Sequence, residues 1–138
     1  MWQIWIDTGG TFTDCLALNV SGVLKRTKVL SSSFLRGQIL EKTGPKTYRT
    51  DTKWAFESAL LTGYDFRIVG GDAFIKIINF SGDVIELEED IDLTGPIFPV
   101  DFEVTTHEEA PVLATRIVTE TPLNQPFPSL SMRLGTTK

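Results

Sequence analysis

The feature that most constrains this chain is a pair of adjacent glycines between two strand-like segments near its start. Residues 1–6 are mostly apolar, and a second apolar run covers residues 15–18. Gly9 and Gly10 lie in the eight residues, 7–14, that separate these segments. A glycine pair favours a tight connection between antiparallel strands. The sequence therefore predicts a β-hairpin that turns at Gly9 and Gly10.

The chemistry of this turn has two interpretations. Asp7 and Asp14 supply carboxylates, and Thr11 and Thr13 supply hydroxyls. Because glycine lets the backbone approach a ligand closely, such a turn can bind nucleotide phosphate while a carboxylate helps to hold a metal ion. The other interpretation is an ordinary Gly-Gly turn that only closes the hairpin. Spacing alone leaves both interpretations open.

Three antiparallel strands are predicted in the first part of the chain. They cover residues 1–6, 11–19 and 23–30, with a turn at Ser21 and Gly22 between the second and the third. In the first strand, Ile4 and Trp5 point to opposite faces because side chains alternate along a strand. Bulky apolar residues on both faces predict a central strand that is covered on two sides.

A β-rich insertion is predicted over residues 32–101. Runs of about seven residues alternate there with turns that contain glycine, such as 70–72 and 81–83. Residues 34–42 fit either a short helix or an irregular strand. The acidic run at 86–90 is interpreted as a solvated surface rather than as a metal site.

The last third of the chain is predicted to hold a helix and then a strand. Apolar residues recur there with helical period, at Ala110, Leu113, Ala114, Ile117 and Val118. A buried strand over 129–134 leads into the sequence Gly135-Thr136-Thr137. In open α/β sheets ligands bind beyond the carboxyl ends of strands. A chain that stops at such a point is expected to be a fragment of a longer protein.

Composition excludes several classes of function. A net charge of −5 argues against a nucleic-acid partner, which usually meets a basic surface. No apolar run approaches the roughly 18 residues that span a bilayer, and no signal peptide is visible. Cys15 and His107 are the only residues of their types, so an internal disulfide and a two-histidine zinc site are excluded. We expect a cytoplasmic protein with Cys15 in its core and His107 on its surface.

Residues 6–14, Ile-Asp-Thr-Gly-Gly-Thr-Phe-Thr-Asp, resemble the amino-terminal signature D-x-G-G-T-F-T-D of the hydantoinase A/5-oxoprolinase family. Residues 133–137, Arg-Leu-Gly-Thr-Thr, resemble the second marker of that family, H-G-T-T. Leu134 stands where the family has histidine, so only Gly-Thr-Thr is carried over. The resemblance is weak or absent over residues 32–101.

The resemblance implies a fold and a division of the chain. The fold implied is α+β and β-rich, the first-lobe portion of an actin-like ATPase (ribonuclease H-like), with a three-stranded meander followed by a helix and a strand. Residues 1–31 and 102–138 would form this partial lobe, and residues 32–101 would be inserted in it. The lobe would belong to an enzyme that uses ATP and Mg²⁺ to open a cyclic amide, either 5-oxoproline or a hydantoin. Phosphorylation of the amide oxygen would activate the amide carbon, so that water could attack it and open the ring.

The resemblance also assigns roles to residues. Asp7 would help to hold Mg²⁺, and Asp14 would either lie near the metal or pin the turn. The residues implied in nucleotide binding are Gly9, Gly10, Thr11, Thr13, Gly135, Thr136 and Thr137. No catalytic residue is implied, and the substrate is left open. The expected partners are a small cyclic amide and either the rest of the polypeptide or a second hydantoinase subunit.

Two alternatives stay open beside the hydrolase. One is a sugar- or metabolite-kinase-like member of the same superfold, and the other is a non-catalytic β-rich interaction module. As a hydrolase fragment the chain is expected to be inactive alone, because the lobe that closes over the nucleotide is missing. Its sheet edge and the helix face around Ile117 are expected to be exposed and to cause self-association.

Overall fold

The computed structural model describes residues 1–93 and 97–136, and these fold into two compact units. The first unit comprises Met1–Phe34 and the residues from Thr106 onward, and the second comprises Leu35–Thr105. The described residues form ten strands, one α-helix and a 3₁₀ turn at Ser58–Leu61. The strands are β1 (Trp2–Thr8), β2 (Phe12–Leu18), β3 (Leu24–Leu30), β4 (Leu35–Lys42), β5 (Thr47–Asp51), β6 (Asp65–Ile68), β7 (Ile75–Ser81), β8 (Val84–Leu87), β9 (Val100–Thr105) and β10 (Leu130–Thr136), and the helix is α1 (Ala110–Val118).

The first unit contains a four-stranded sheet in the order β10-β1-β2-β3. The meander β1-β2-β3 is antiparallel, as predicted, and β10 pairs with β1 in parallel. Asn19 accepts the backbone N–H groups of Ser21 and Val23, and Gly22 at φ +83° completes the turn between β2 and β3. The sequence predicted each of these three strands because local apolar runs and turn residues mark them.

Helix α1 packs on one face of this sheet, mainly against β2 and β3. The predicted apolar stripe is buried, and Pro111 lies in the first turn, where its missing N–H costs no hydrogen bond. On the sheet side the buried residues are Ile4, Ile6, Cys15, Ala17 and Val29. The helix face around Ile117 is therefore buried, and the expectation that this face is exposed was wrong.

Only one face of β1 is buried. The strand is central, as predicted, but Gln3 and Asp7 on its second face are exposed and Trp5 is half-buried. The predicted two-sided cover was wrong within the described residues. Trp5 lines an open pocket on that face.

The second unit is a closed six-stranded barrel in the order β4-β5-β8-β7-β6-β9. Residues 34–42, left open by the sequence, form β4 with an irregularity between Ile39 and Glu41. The barrel is filled by large side chains that are fully buried, namely Ile39, Tyr48, Tyr64, Phe66, Ile77, Phe80, Ile85, Leu87 and Phe102. No described helix in either unit is long and apolar enough to cross a membrane.

The fold class predicted from the resemblance was wrong, although the β-rich content is confirmed. The described residues hold two sheets and a single nine-residue α-helix, not the helices of an actin-like ATPase lobe. The physical reason is that a glycine turn fixes the backbone only locally. The apolar residues between β3 and α1 close a barrel, and among the described residues α1 covers one face of the other sheet.

Candidate functional site

The hairpin turn between β1 and β2 is tight and open to solvent. Thr8 pairs with Thr13, and the Gly9 N–H donates to the Phe12 carbonyl at 2.9 Å, which leaves Gly10 and Thr11 at the tip. A Cβ atom at Gly9 would lie 3.0 Å from the Phe12 oxygen, whereas one at Gly10 would meet nothing within 4 Å. Neither Gly10 nor Thr11 donates its backbone N–H to another residue that the structure describes. Two N–H groups at the tip can therefore serve an external acceptor.

Ser31, immediately after β3, forms two hydrogen bonds to the backbone of this turn. Its Oγ donates to the Gly9 carbonyl at 2.6 Å, and its N–H donates to the Thr11 carbonyl at 2.8 Å. The Thr13 hydroxyl lies 3.0 Å from the Ser31 Oγ and is fully buried. The structure thus places Thr13 against Ser31, beneath the turn, while Thr11 is exposed at the tip.

The structure brings the second predicted marker beside the first. In the parallel pairing of β1 with β10, Asp7 aligns with Gly135 and Thr8 aligns with Thr136. Neighbouring strands lie about 4.8 Å apart, so these residues and the turn occupy one edge of the sheet. A Cβ atom at Gly135 would come no closer than 3.7 Å to another atom, the Ile6 carbonyl oxygen. The remaining marker residue, Thr137, lies outside the described residues.

Asp7 and Asp14, the predicted metal-binding pair, are directly opposite each other on β1 and β2. Both are exposed, and Lys28 Nζ of β3 lies 3.7 Å from a carboxylate oxygen of Asp14. They line an open pocket of about 300 Å³ on the uncovered sheet face, together with Trp5, Leu16 and Arg26. No group of three or more metal-ligating side chains occurs among residues 1–93 and 97–136.

Three other residues considered in the sequence, Cys15, His107 and Leu134, do not contribute reactive groups to this site. Burial raises the pKa of the Cys15 thiol to about 12, so the thiolate nucleophile is suppressed at neutral pH. His107 is exposed just before α1, as predicted. Leu134, the residue before Gly135, is 69% exposed and aligned with Ile6. It offers no polar group to a ligand.

Sequence reasoning missed Ser31 and Lys28. Ser31 begins a run of three serines, and Lys28 is one of several charged residues in the third predicted strand, so neither stands out in the sequence. Both become visible once β3 is paired with β2, because Lys28 then aligns with Asp14 and Leu30 with Phe12. Predicting the register of the β2–β3 hairpin from the sequence could have identified both residues.

Comparison with known proteins finds a similarity in the first part of the chain. Residues 3–60 match the family model of the hydantoinase/oxoprolinase N-terminal region. This confirms the resemblance drawn from residues 6–14, and residues 3–60 are similar to the hydantoinase/oxoprolinase N-terminal region. No curated protein and no solved structure gave a significant match.

The extent of the match differs from the expected one. It continues through β4 and β5 to the 3₁₀ turn, so the expectation that the resemblance is weak or absent over residues 32–101 was wrong for residues 32–60. It covers less than half of the 138 residues and includes neither α1 nor β10. The interpretation of Gly135-Thr136-Thr137 as the second family marker stays a prediction.

Proposed function

We propose that this chain supplies the phosphate-binding edge of an ATP-dependent hydrolase that opens a cyclic amide, with 5-oxoproline and hydantoins as the substrate class. The observation that carries the proposal is the solvent-facing turn at Gly10 and Thr11, whose two N–H groups have no acceptor among the described residues. The family match over residues 3–60 supports a hydrolase of this type rather than a sugar kinase.

The residues at this edge suit a nucleotide with Mg²⁺. Gly10 leaves space for a phosphate oxygen, and Gly135 and Thr136 lie on the neighbouring strand beside Asp7 and Thr8. Mg²⁺ keeps several waters and is usually held by one or two carboxylates plus phosphate oxygens. Asp7 and Asp14, with no third carboxylate nearby in the described residues, fit that pattern. When bound, ATP supplies the phosphoryl group that activates the amide oxygen.

In this proposal the chain binds and orients, and other parts of the enzyme complete the site. The N–H groups of Gly10 and Thr11 hold phosphate oxygens, and the Thr11 hydroxyl, exposed at the tip, adds a donor. Lys28, 3.7 Å from Asp14, balances charge on the carboxylate pair. The rest of the polypeptide or a second hydantoinase subunit brings the substrate and excludes water. We expect the isolated chain to bind nucleotide and not to hydrolyse it.

Replacement of Gly10 by alanine tests the phosphate site directly. The added Cβ meets no protein atom within 4 Å, so stability should not change, but the methyl group takes up space beside the proposed phosphate. We expect Gly10→Ala to weaken ATP binding about tenfold or more, equivalent to about 1.4 kcal/mol, with an unchanged melting temperature. Isothermal titration calorimetry on the 138-residue chain, with Mg²⁺ present, measures the affinity.

Ser21→Ala is the matched control, since Ser21 is exposed in the β2–β3 turn, another connection of the same sheet. It should bind ATP as the wild type does. Absence of ATP binding by the wild-type chain, or equal binding by Gly10→Ala, contradicts the proposed site.

A second substitution addresses the metal. Asp7→Asn keeps the size of the side chain but removes the charge that holds Mg²⁺. We expect ATP affinity in Mg²⁺ to fall to the value measured in EDTA, while affinity in EDTA stays unchanged. Glu109→Gln, an exposed carboxylate outside the sheet, is the control. An Asp7→Asn chain that keeps the full Mg²⁺ dependence removes Asp7 from the site.

A further inference from the structure

We propose that Ser31 is the positioning residue of the phosphate turn, and that it fixes the direction in which the Gly10 N–H points. This inference rests on the proposed function, because it concerns the same turn. Ser31 belongs to neither sequence marker, and it is brought to the turn only by the pairing of β3 with β2.

The direction of the hydrogen bonds at Ser31 is determined by counting protons. A hydroxyl has one proton, and a carbonyl can only accept. The Ser31 proton is therefore donated to the Gly9 carbonyl, 2.6 Å away, and the 3.0 Å contact with Thr13 uses the Thr13 proton. Thr13 therefore donates to Ser31, and Ser31 donates to the Gly9 carbonyl. The Thr13 hydroxyl has no second proton for a ligand, so Thr13 acts on the turn through Ser31.

These two hydrogen bonds orient the peptide group between Gly9 and Gly10. In a trans peptide the C=O and N–H groups point in opposite directions. Because Ser31 holds the Gly9 C=O, the Gly10 N–H points to the opposite side of the turn. Glycines otherwise allow this peptide group to rotate, since they lack the Cβ atom that restricts φ and ψ.

The Thr11 carbonyl is fixed by the same residue. It accepts the backbone N–H of Ser31 at 2.8 Å, which anchors the peptide group between Thr11 and Phe12. A site whose donors are held before the ligand arrives does not pay the entropy of ordering them on binding. Ser31 thus preorganises one of the two phosphate donors, the Gly10 N–H, and anchors the backbone on both sides of the Gly10–Thr11 peptide group.

Ser31→Ala tests the proposal, because alanine keeps the backbone N–H bond to Thr11 and removes only the hydroxyl chain. We expect about tenfold weaker binding of ATP and of ADP. Binding of adenosine, which has no phosphate, should not change. Ser31→Thr keeps the hydroxyl and should restore most of the affinity. A merely structural role would weaken adenosine and ATP binding alike.

Ser33→Ala is the matched control. The Ser33 hydroxyl also donates to a backbone carbonyl, that of Glu108, within the same unit but away from the turn. It should leave ATP affinity unchanged, whatever it does to the melting temperature. Should Ser31→Ala fail to fold, Ser31→Cys replaces it, because a thiol is a weaker donor of similar volume, and an intermediate loss of ATP affinity is expected.

The outcomes separate this inference from the proposed function. If the wild-type chain does not bind ATP, the proposed function fails. If the wild type binds ATP and Ser31→Ala, or the folded Ser31→Cys in its place, binds it equally well, the phosphate site stands and the positioning role of Ser31 is overturned.

Discussion

At the residue scale, Arg116 shows how one buried charge organises the end of α1. It is 5% exposed and forms a two-point pair with Glu108, with nitrogen–oxygen distances of 2.9 and 2.8 Å. Its Nη1 donates to the Pro122 carbonyl at 2.8 Å, and its guanidinium lies 4.6 Å from the centre of the Phe127 ring. Breaking such a pair leaves a buried charge without compensation. Arg116 therefore ties the segment after the helix back to the residues before it.

This pair predicts a pH dependence of stability. The hydrogen bonds from Arg116 lower the pKa of the Glu108 carboxyl in the folded chain. The resulting stabilisation is fully present above the unfolded-state pKa, about 4.3, and is lost as the pH falls through the folded-state value. Glu108→Gln should therefore be less stable than wild type at pH 7, and the difference should shrink below about pH 4. Urea unfolding at several pH values measures it.

Glu109→Gln is the control for this prediction, because Glu109 is the exposed neighbour in the sequence. It should follow the wild-type pH profile. A constant difference between Glu108→Gln and wild type from pH 7 to pH 3 would refute the assigned role of the pair.

At the element scale, β4 is shaped by a glycine that admits an aromatic ring. A Cβ atom at Gly37 would lie 2.7 Å from the Cζ of Phe102 on β9 and 2.9 Å from the Cγ2 of Thr52. Gly37 and Phe102 are aligned in the β4–β9 pairing, and Phe102 also stacks on Phe66 with ring centres 5.0 Å apart. The missing side chain at Gly37 lets this pairing close the barrel around its aromatic core.

Gly37→Ala should destabilise the barrel by about 2 kcal/mol, because overpacking forces the Phe102 ring or the strand to move. Trp54 packs edge-on against Phe80 and Phe102, so its fluorescence reports unfolding of the barrel.

Combining Gly37→Ala with Phe102→Leu should reduce the free energy of unfolding by less than the sum of the two single changes. Gly10→Ala, where the added atom has open space, should change stability by less than about 0.5 kcal/mol. Additive costs in the double variant would refute the close approach.

At the scale of the whole molecule, one sheet edge is open to association. β10 ends the strand order of its sheet and, within the described residues, pairs only with β1. Leu134 on this strand is 69% exposed. Unpaired N–H and C=O groups beside an exposed apolar side chain form a template for another strand. The predicted self-association is therefore assigned to β10 and not to the buried face of α1.

Leu134→Glu should reduce self-association, because a charge on the edge strand opposes pairing with a second copy. Analytical ultracentrifugation over a wide concentration range measures the effect. Val20→Glu, which adds the same charge at a residue that is 73% exposed in the β2–β3 turn, should leave self-association unchanged. A wild-type chain that stays monomeric at high concentration contradicts the prediction.

The sequence by itself determined the elements whose signals are local. Apolar runs and turn residues located β1, β2 and β3, and helical period located α1 at its buried residues, such as Leu113 and Ile117. The motif at residues 6–14 was sufficient to predict the similarity to the hydantoinase/oxoprolinase N-terminal region that the family model finds over residues 3–60. These features depend on residues close in sequence, so a short window contains the information.

Only the tertiary structure decided the features that depend on distant pairings. Register placed Gly135 beside Asp7 and Ser31 beside Gly9, over separations that no local pattern spans. Closure of the barrel depended on contacts such as Gly37 with Phe102, and it replaced the fold class that the motif had suggested. A turn motif specifies the backbone of a few residues, whereas the fold around it is set by how the remaining apolar side chains are buried together.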